Sequence, residues 1–97
     1  MVSLEKIKST LSHQKSKLRA SFNIKNLGIF GSFVRGEQKK GSDLDVLVEF
    51  AEPIGLFRFI ELEELLTEML GVKVDLVSKK ALKPRIGERI LKEVVYV

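Results

Sequence analysis

The stretch that decides the fold runs from Leu27 to Val48 and reads Leu-Gly-Ile-Phe-Gly-Ser-Phe-Val-Arg-Gly-Glu-Gln-Lys-Lys-Gly-Ser-Asp-Leu-Asp-Val-Leu-Val. A Gly-Ser pair, Gly31-Ser32, closes one short apolar run, and an Asp-x-Asp pair opens the next. A strand, a turn of small residues and a short helix together present free backbone N–H groups to an anion. The stretch therefore predicts phosphate-binding chemistry directly beside a pair of acidic residues.

The acidic pair consists of Asp43 and Asp45, which are two residues apart on a predicted strand. Side chains at this spacing leave the same face of a strand. Two carboxylates that point into one space repel each other unless a divalent cation lies between them. A triphosphate held at Gly31 and Ser32 would share that cation, so the segment is interpreted as a nucleotidyl-transfer site.

A third acid, Asp75, lies alone in the apolar run Val74-Asp75-Leu76-Val77. A carboxylate buried in such a strand is costly unless it is paired or bound to a metal. If this strand neighbours the one that carries the Asp-x-Asp pair, the three carboxylates converge beside the Gly-Ser turn. Taken alone, Asp75 has an alternative explanation as a buried ion-pair partner of Lys73 or Arg58.

The rest of the chain predicts helices alternating with strands. Ser3 is a candidate N-cap for a first helix that begins at Leu4, and Gly71 ends a strong amphipathic helix. The order αβαβαβα predicts one α/β or α+β domain over residues 1–97, with helices packed on a small sheet. The predicted ranges are a turn at 23–26, strands at 27–30, 43–50 and 72–77, and helices at 32–37, 56–70 and 84–94.

The composition places few limits on function. The chain has 97 residues, of which 44% are hydrophobic and 31% are charged, as expected of one globular domain. No apolar run approaches the roughly 20 residues that span a bilayer, so no membrane partner is expected. The absence of cysteine excludes disulfides and thiolate zinc sites and suits a cytoplasmic protein. The net charge of +4 is compatible with a nucleotide, a nucleic acid or an acidic protein, and does not choose among them.

The combined pattern resembles a known family. Gly-Ser-x-x-x-Gly, a short polar loop and then Ser-Asp-x-Asp before an apolar strand resemble the signature of the DNA polymerase beta nucleotidyltransferase superfamily. The small size and the Arg-Gly-Glu after the Gly-Ser resemble its minimal nucleotidyltransferase (MNT) branch, although Val34 stands where that branch more often has alanine. The resemblance covers residues 27–97. It implies a mixed sheet with helices mainly on one side, Mg²⁺ dependence and a nucleoside triphosphate substrate.

The resemblance also implies roles for individual residues. Asp43 and Asp45 match the metal-binding pair, and Asp75 matches the catalytic third carboxylate, which orients or deprotonates the attacking hydroxyl. Gly31 and Ser32 match the phosphate-binding turn. Two Mg²⁺ ions would bridge the acids and the triphosphate.

Two further residues are candidates for nucleotide binding. Ser42 belongs to the Ser-Asp-x-Asp motif itself. Arg35 lies one helical turn after the glycine of the Gly-Ser pair, where it either contacts a phosphate or pairs with Glu37 or Glu49. The sequence leaves these two roles of Arg35 open.

The expected partner follows from size and from the resemblance. The chain is too short to carry its own acceptor-binding module, so the acceptor is expected to be a separate macromolecule. MNT proteins are frequently paired with a helical HEPN-domain toxin, for which they act as antitoxin, in some cases by transferring AMP from ATP to a tyrosine of the toxin. The alternatives are a non-catalytic antitoxin that acts by complex formation and a basic nucleic-acid-binding module. The last is disfavoured, because the sequence shows neither an aromatic stacking platform nor a helix-turn-helix pattern.

Overall fold

A computed structural model describes residues 3–97 of the chain. Within these residues, four α-helices and four β-strands follow one another, with a single 3₁₀ turn before the last helix. In chain order the elements are α1 (Leu4–Phe22), β1 (Ile24–Phe30), α2 (Ser32–Arg35), β2 (Leu44–Phe50), α3 (Leu56–Leu70), β3 (Val74–Ser78), the 3₁₀ turn (Lys79–Ala81), α4 (Pro84–Glu93) and β4 (Val95–Tyr96).

The four strands form one mixed sheet in the order β3-β2-β1-β4. β1 runs antiparallel to both β2 and β4, while β2 and β3 are parallel. The parallel pair is joined through α3, as a parallel connection requires a crossover. The predicted α+β class with a small mixed sheet is confirmed.

The core lies between one face of the sheet and the helices α1 and α3. Ile7 and Leu11 of α1, with Leu62 and Leu66 of α3, are fully buried. They pack in one cluster with alternate residues of the strands, because successive strand residues point to opposite faces. The strand members of that cluster are Ile24, Leu27, Ile29, Leu44, Val46, Val48, Val74 and Leu76. The residues that alternate with these core residues along β2 and β3 therefore point to the opposite face of the sheet.

The ends of the two long helices confirm the predicted boundaries. The Ser3 hydroxyl accepts a hydrogen bond from the Lys6 N–H at 3.2 Å and so caps α1. α3 ends at Gly71, whose φ of 68° is the left-handed conformation that glycine adopts without strain. Across residues 3–97, none of the helices is both long enough and apolar enough to cross a bilayer.

The predicted turn at residues 23–26 is wrong beyond Asn23, which alone is left-handed, with φ 54°. β1 already begins at Ile24, because Ile24 pairs with Phe50 of β2. A register irregularity follows, and the Asn26 Nδ2 group donates to Glu49 Oε1 at 2.8 Å. Cross-strand pairing and this side-chain hydrogen bond therefore keep residues 24–26 in the sheet, where the sequence predicted a turn.

The end of the chain also differs from the prediction. β4 was not predicted; it pairs with Gly28 and Ile29 of β1, and the Val97 N–H donates to the Leu27 carbonyl at 3.0 Å. The third strand begins at Val74 rather than at residue 72.

α3 also covers the outer edge of the sheet. β3 is an edge strand, and two of its N–H groups donate to side chains of this helix. The Val74 N–H bonds to Thr67 Oγ1 at 3.0 Å, and the Leu76 N–H bonds to Glu63 Oε2 at 2.8 Å. These acceptors satisfy backbone groups that an edge strand would otherwise leave open.

Candidate active site

Two of the predicted acids lie side by side on the sheet. Asp45 of β2 and Asp75 of β3 are direct partners in the parallel register. Partners in register point to the same face, which here is the face opposite to the buried side chains of Leu44 and Val74. Asp43 comes one residue before β2 and is exposed. The sheet therefore brings two carboxylates together and places the third at the end of the same strand.

The charges of the three aspartates influence one another. Partial burial raises the pKa of Asp45 above its usual value, and the negative charges of Asp75 and Asp43 raise it further. Arg35 acts in the opposite direction, and Glu93 adds to the repulsion. An unfavourable negative field of this kind is typical of a site that receives a cation.

Asp75 itself is exposed, so the sequence argument from a buried lone carboxylate is wrong. The alternative pairing with Arg58 is not found either. Arg58 instead bonds to Glu61 and to the Ser21 carbonyl, and its guanidinium lies 4.2 Å from the centre of the Phe22 ring.

The donor chemistry of the site fits Mg²⁺, which prefers carboxylate oxygens. The placement fits as well, since Asp45 and Asp75 are adjacent and Asp43 is two residues from Asp45. Within residues 3–97, however, no three His, Cys, Asp or Glu side chains stand close enough together to hold an ion. The strands thus place the three aspartates near one another, as expected, but their carboxylate groups do not converge on one point. Exposed Asp43 and Asp75 would have to rotate toward Asp45 to complete it.

Gly31 brings the Gly-Ser turn into contact with Asp45 of the acidic pair. Its φ of 82° and ψ of −154° lie in a region that only glycine occupies readily. A Cβ atom at this position would overlap the Asp45 carboxylate. The glycine therefore lets a carboxylate approach the backbone at the start of α2.

The donors that the sequence assigned to phosphate are bound to a protein carboxylate in this structure. The Gly31 N–H donates to Glu93 Oε2 at 2.8 Å, and Arg35 Nη1 donates to Glu93 Oε1 at 2.6 Å. Arg35 Nε also bonds to Glu37 Oε1 at 2.5 Å, which is one of the two predicted pairings. The other is not found, because Glu49 accepts from Asn26 and lies 3.7 Å from Lys79 Nζ.

A cleft of about 260 Å³ opens at this point between the sheet and α4. Half of its lining comes from α4, none of whose residues was among the predicted site residues. The signal was the spacing of residues 86, 89, 90 and 93, which share one face of a helix. The lining residues are Phe30, Gly31, Arg35, Asp45, Ile86, Arg89, Ile90 and Glu93.

Ser42 is not brought into this cleft. Its hydroxyl accepts a hydrogen bond from the Lys39 N–H at 2.8 Å and so fixes the loop before β2. It lines a separate cleft of about 490 Å³ together with Phe33, Lys39, Lys40, Gly41, Gly71 and Val72. A nucleotide-binding role for Ser42 stays a prediction.

Comparison with known proteins gives a consistent result. The model of the nucleotidyltransferase domain family matches residues 5–97. The chain is 52% identical, over 97 residues, to the protein adenylyltransferase MntA of Thermococcus cleftensis, covering 100% of this chain and 98% of that protein.

The chain is also similar to solved structures, two of which follow. One, described as a minimal nucleotidyltransferase, has 35% identity and a TM-score of 0.75, covering 92% of this chain and 93% of the other. The second belongs to the complex of a tri-AMPylated Shewanella oneidensis HEPN toxin with an MNT antitoxin. Its TM-score is 0.69 at 19% identity, covering 93% of this chain and 70% of that one, which is a likeness of fold.

Proposed function

Because the chain belongs to the nucleotidyltransferase domain family, we propose that it transfers AMP from ATP to a hydroxyl group of a partner protein. The partner is a HEPN-domain toxin, and the chain acts as its antitoxin. The observation that carries the proposal is the pairing of Asp45 with Asp75 in register, with the Asp45 carboxylate against Gly31. Carboxylates and a phosphate-accepting turn are the two parts that nucleotidyl transfer requires in one place.

The proposed metal ligands are Asp43, Asp45 and Asp75, which would hold two Mg²⁺ ions. When bound, Mg²⁺ supplies positive charge that neutralises the triphosphate and acidifies the acceptor hydroxyl. The raised pKa of Asp45 supports this assignment, because a cation relieves the repulsion from Asp75 and Asp43 that contributes to it.

The chain's own residues perform the remaining tasks. Asp75, exposed beside Asp45, accepts or steers the proton of the acceptor hydroxyl. The acceptor oxygen then bonds to the α-phosphorus of ATP while the bond from that phosphorus to the bridging oxygen breaks, so that an AMP ester and pyrophosphate form. The Gly31 N–H, the Ser32 hydroxyl and Arg35 hold the phosphates and stabilise the developing negative charge.

The surroundings of the cleft support a protein as the acceptor. Ile86 lines the cleft and is 57% exposed. Exposed apolar side chains near a reactive centre suit contact with another protein surface. ATP and a toxin made by the same cell would both be met in the cytoplasm, where we propose that the reaction occurs.

The test is mass spectrometry of a HEPN partner after incubation with the chain, Mg²⁺ and each of the four nucleoside triphosphates in turn. We expect a gain of one or more AMP groups on hydroxyl side chains with ATP. The gain should be lost when Asp43 and Asp45 are both changed to Asn and kept in Glu88→Gln, which alters an exposed charge outside the cleft. A partner that stays unmodified with every nucleotide would contradict the proposed activity.

A second function, that of an antitoxin acting by complex formation alone, is favoured by one observation. Across the described residues no set of three metal ligands is preformed, and Glu93 already occupies the Gly31 N–H. The Asp43/Asp45 double variant distinguishes the two functions. If it binds the partner and still blocks toxicity, complex formation suffices; if it binds but no longer protects, catalysis is required.

A further inference from the structure

Glu93, at the last position of α4, is hydrogen-bonded through both carboxylate oxygens. Oε2 accepts from the Gly31 N–H at 2.8 Å, and Oε1 accepts from Arg35 Nη1 at 2.6 Å. Both donors belong to the set that the proposed function assigns to the phosphates of ATP. A protein anion therefore lies where the anion of the substrate is proposed to bind.

The electrostatic surroundings of Glu93 are those of an anion-binding site. Burial acts to raise the pKa of Glu93, but the bonds from Arg35 and from the Gly31 N–H lower it, and the net direction is down. Arg89, one helical turn earlier in the same cleft, lowers the pKa as well. Two cations and a backbone N–H thus surround one ionised carboxylate, and such charge-assisted bonds are stronger than neutral ones.

We propose that Glu93 is an intramolecular competitor of the nucleotide: its carboxylate occupies the anion subsite formed by the Gly31 N–H and Arg35 and is displaced when a triphosphate binds. This inference rests on the proposed function, because it assigns regulation to the same site. A carboxylate that stayed in place would repel the phosphates and keep their donors engaged. The resting chain therefore binds triphosphates more weakly than these donors would allow on their own.

In the proposed displacement the Glu93 side chain rotates away from Gly31 and Arg35. The backbone that follows is held by β4, where Val95 pairs with Ile29 and Tyr96 pairs with Gly28. Release leaves Arg89 without this carboxylate neighbour, so a second cation becomes available to the bound phosphates. The Glu93 side chain is 21% exposed in its hydrogen-bonded position, so it already borders solvent.

The experiment measures the binding of inorganic tripolyphosphate, and then of ATP with Mg²⁺, by calorimetric titration of the whole chain. The proteins are the wild type, Glu93→Gln, Glu93→Ala and the matched control Glu88→Gln. We expect both Glu93 variants to bind tripolyphosphate about tenfold more tightly than the wild type, in line with the loss of one charge-assisted competitor. Glu88→Gln removes the same charge from an exposed position of α4 and should change the affinity less than about twofold.

A further variant identifies the subsite. If the gain arises at the donors released by Glu93, it should shrink in the double variant Arg35→Ala with Glu93→Gln. Circular dichroism checks that the Glu93 variants are folded. If the folded variants bind tripolyphosphate with the same affinity as the wild type, the inference is overturned and the proposed function is left intact. A loss of affinity would likewise overturn it and make Glu93 an anchor that positions Arg35. A complete absence of triphosphate binding in all variants would contradict the proposed function as well.

Discussion

The surroundings of Asp45 oppose its negative charge. It is partly buried, it lies in register with Asp75, and its carboxylate lies against the Gly31 backbone. Because its pKa is raised above the usual value of 3.8, its contribution to stability is fully present below pH 3.8 and is lost as the pH rises through the folded-state pKa. At neutral pH the ionised side chain therefore opposes folding unless a cation is bound.

Asp45→Asn should therefore raise the melting temperature at pH 7 in EDTA, by roughly 2–5 °C for a domain of this size. The gain should disappear below about pH 3.8, where the wild-type carboxyl is protonated. Stabilisation by added Mg²⁺ should be lost in the variant. Thermal unfolding followed by circular dichroism measures each effect, with Glu64→Gln as an exposed-charge control. A lower melting temperature in EDTA would mean that Asp45 is a structural acid.

Gly31→Ala should destabilise the domain by about 2–4 kcal/mol, because it combines backbone strain with an overlap. Gly41→Ala is the matched control: its φ of 88° is similar, but a Cβ atom there meets nothing within 4 Å. We expect it to cost only about 1–2 kcal/mol, from strain alone. Urea denaturation measures both values, and Asp45→Ala in the Gly31→Ala background should recover part of the difference. Equal losses at the two glycines would show that the contact with Asp45 does not matter.

At the scale of helices and strands, the sequence pattern predicted those boundaries that interactions between residues close in the chain determine. The range of α3, from Leu56 to Leu70, follows from its apolar period and from Gly71 and is the same in the structure. β4 could not be predicted, since two residues carry no period and their partners Gly28 and Ile29 lie more than 60 residues away along the chain. Long-range contacts also decide the position of Glu93. The spacing of residues 86, 89, 90 and 93 indicates a shared helix face, but it does not indicate that this face lies against Gly31 and Arg35.

Thr67→Val should weaken the attachment of β3 to α3, because the Val74 N–H loses its acceptor while the size of the side chain is kept. We expect a loss of about 1 kcal/mol in the free energy of unfolding and faster hydrogen exchange of the Val74 amide. Thr67→Ser, which keeps the hydroxyl, should protect that amide as the wild type does. Unchanged exchange in Thr67→Val would indicate that water replaces the hydroxyl without loss.

At the scale of the whole molecule, a single domain over residues 1–97 stays a prediction that unfolding can test. Tyr96 is the only tyrosine and the chain has no tryptophan, so tyrosine fluorescence reports on β4 alone. Val97 packs against the common core and its N–H bonds to Leu27, which ties β4 to the rest of the sheet. We expect fluorescence and far-ultraviolet circular dichroism to give the same urea midpoint. An earlier fluorescence transition would show that β4 detaches before the domain unfolds.

The bonds from α3 to the edge of the sheet have a consequence for how the site is assembled. Glu63 and Thr67 are four residues apart on a helix, a distance of about 6.0 Å, while Leu76 and Val74 are two residues apart on a strand, about 6.6 Å. Because the two spacings match, the two hydrogen bonds form together in only one register of β3 against α3. A slip by one residue would turn Asp75 toward the core and Leu76 toward the face of the sheet that carries Asp45. Substitutions of Glu63 and Thr67 would then be expected to lower activity by misaligning Asp75 with Asp45, even though all three proposed site aspartates are unchanged.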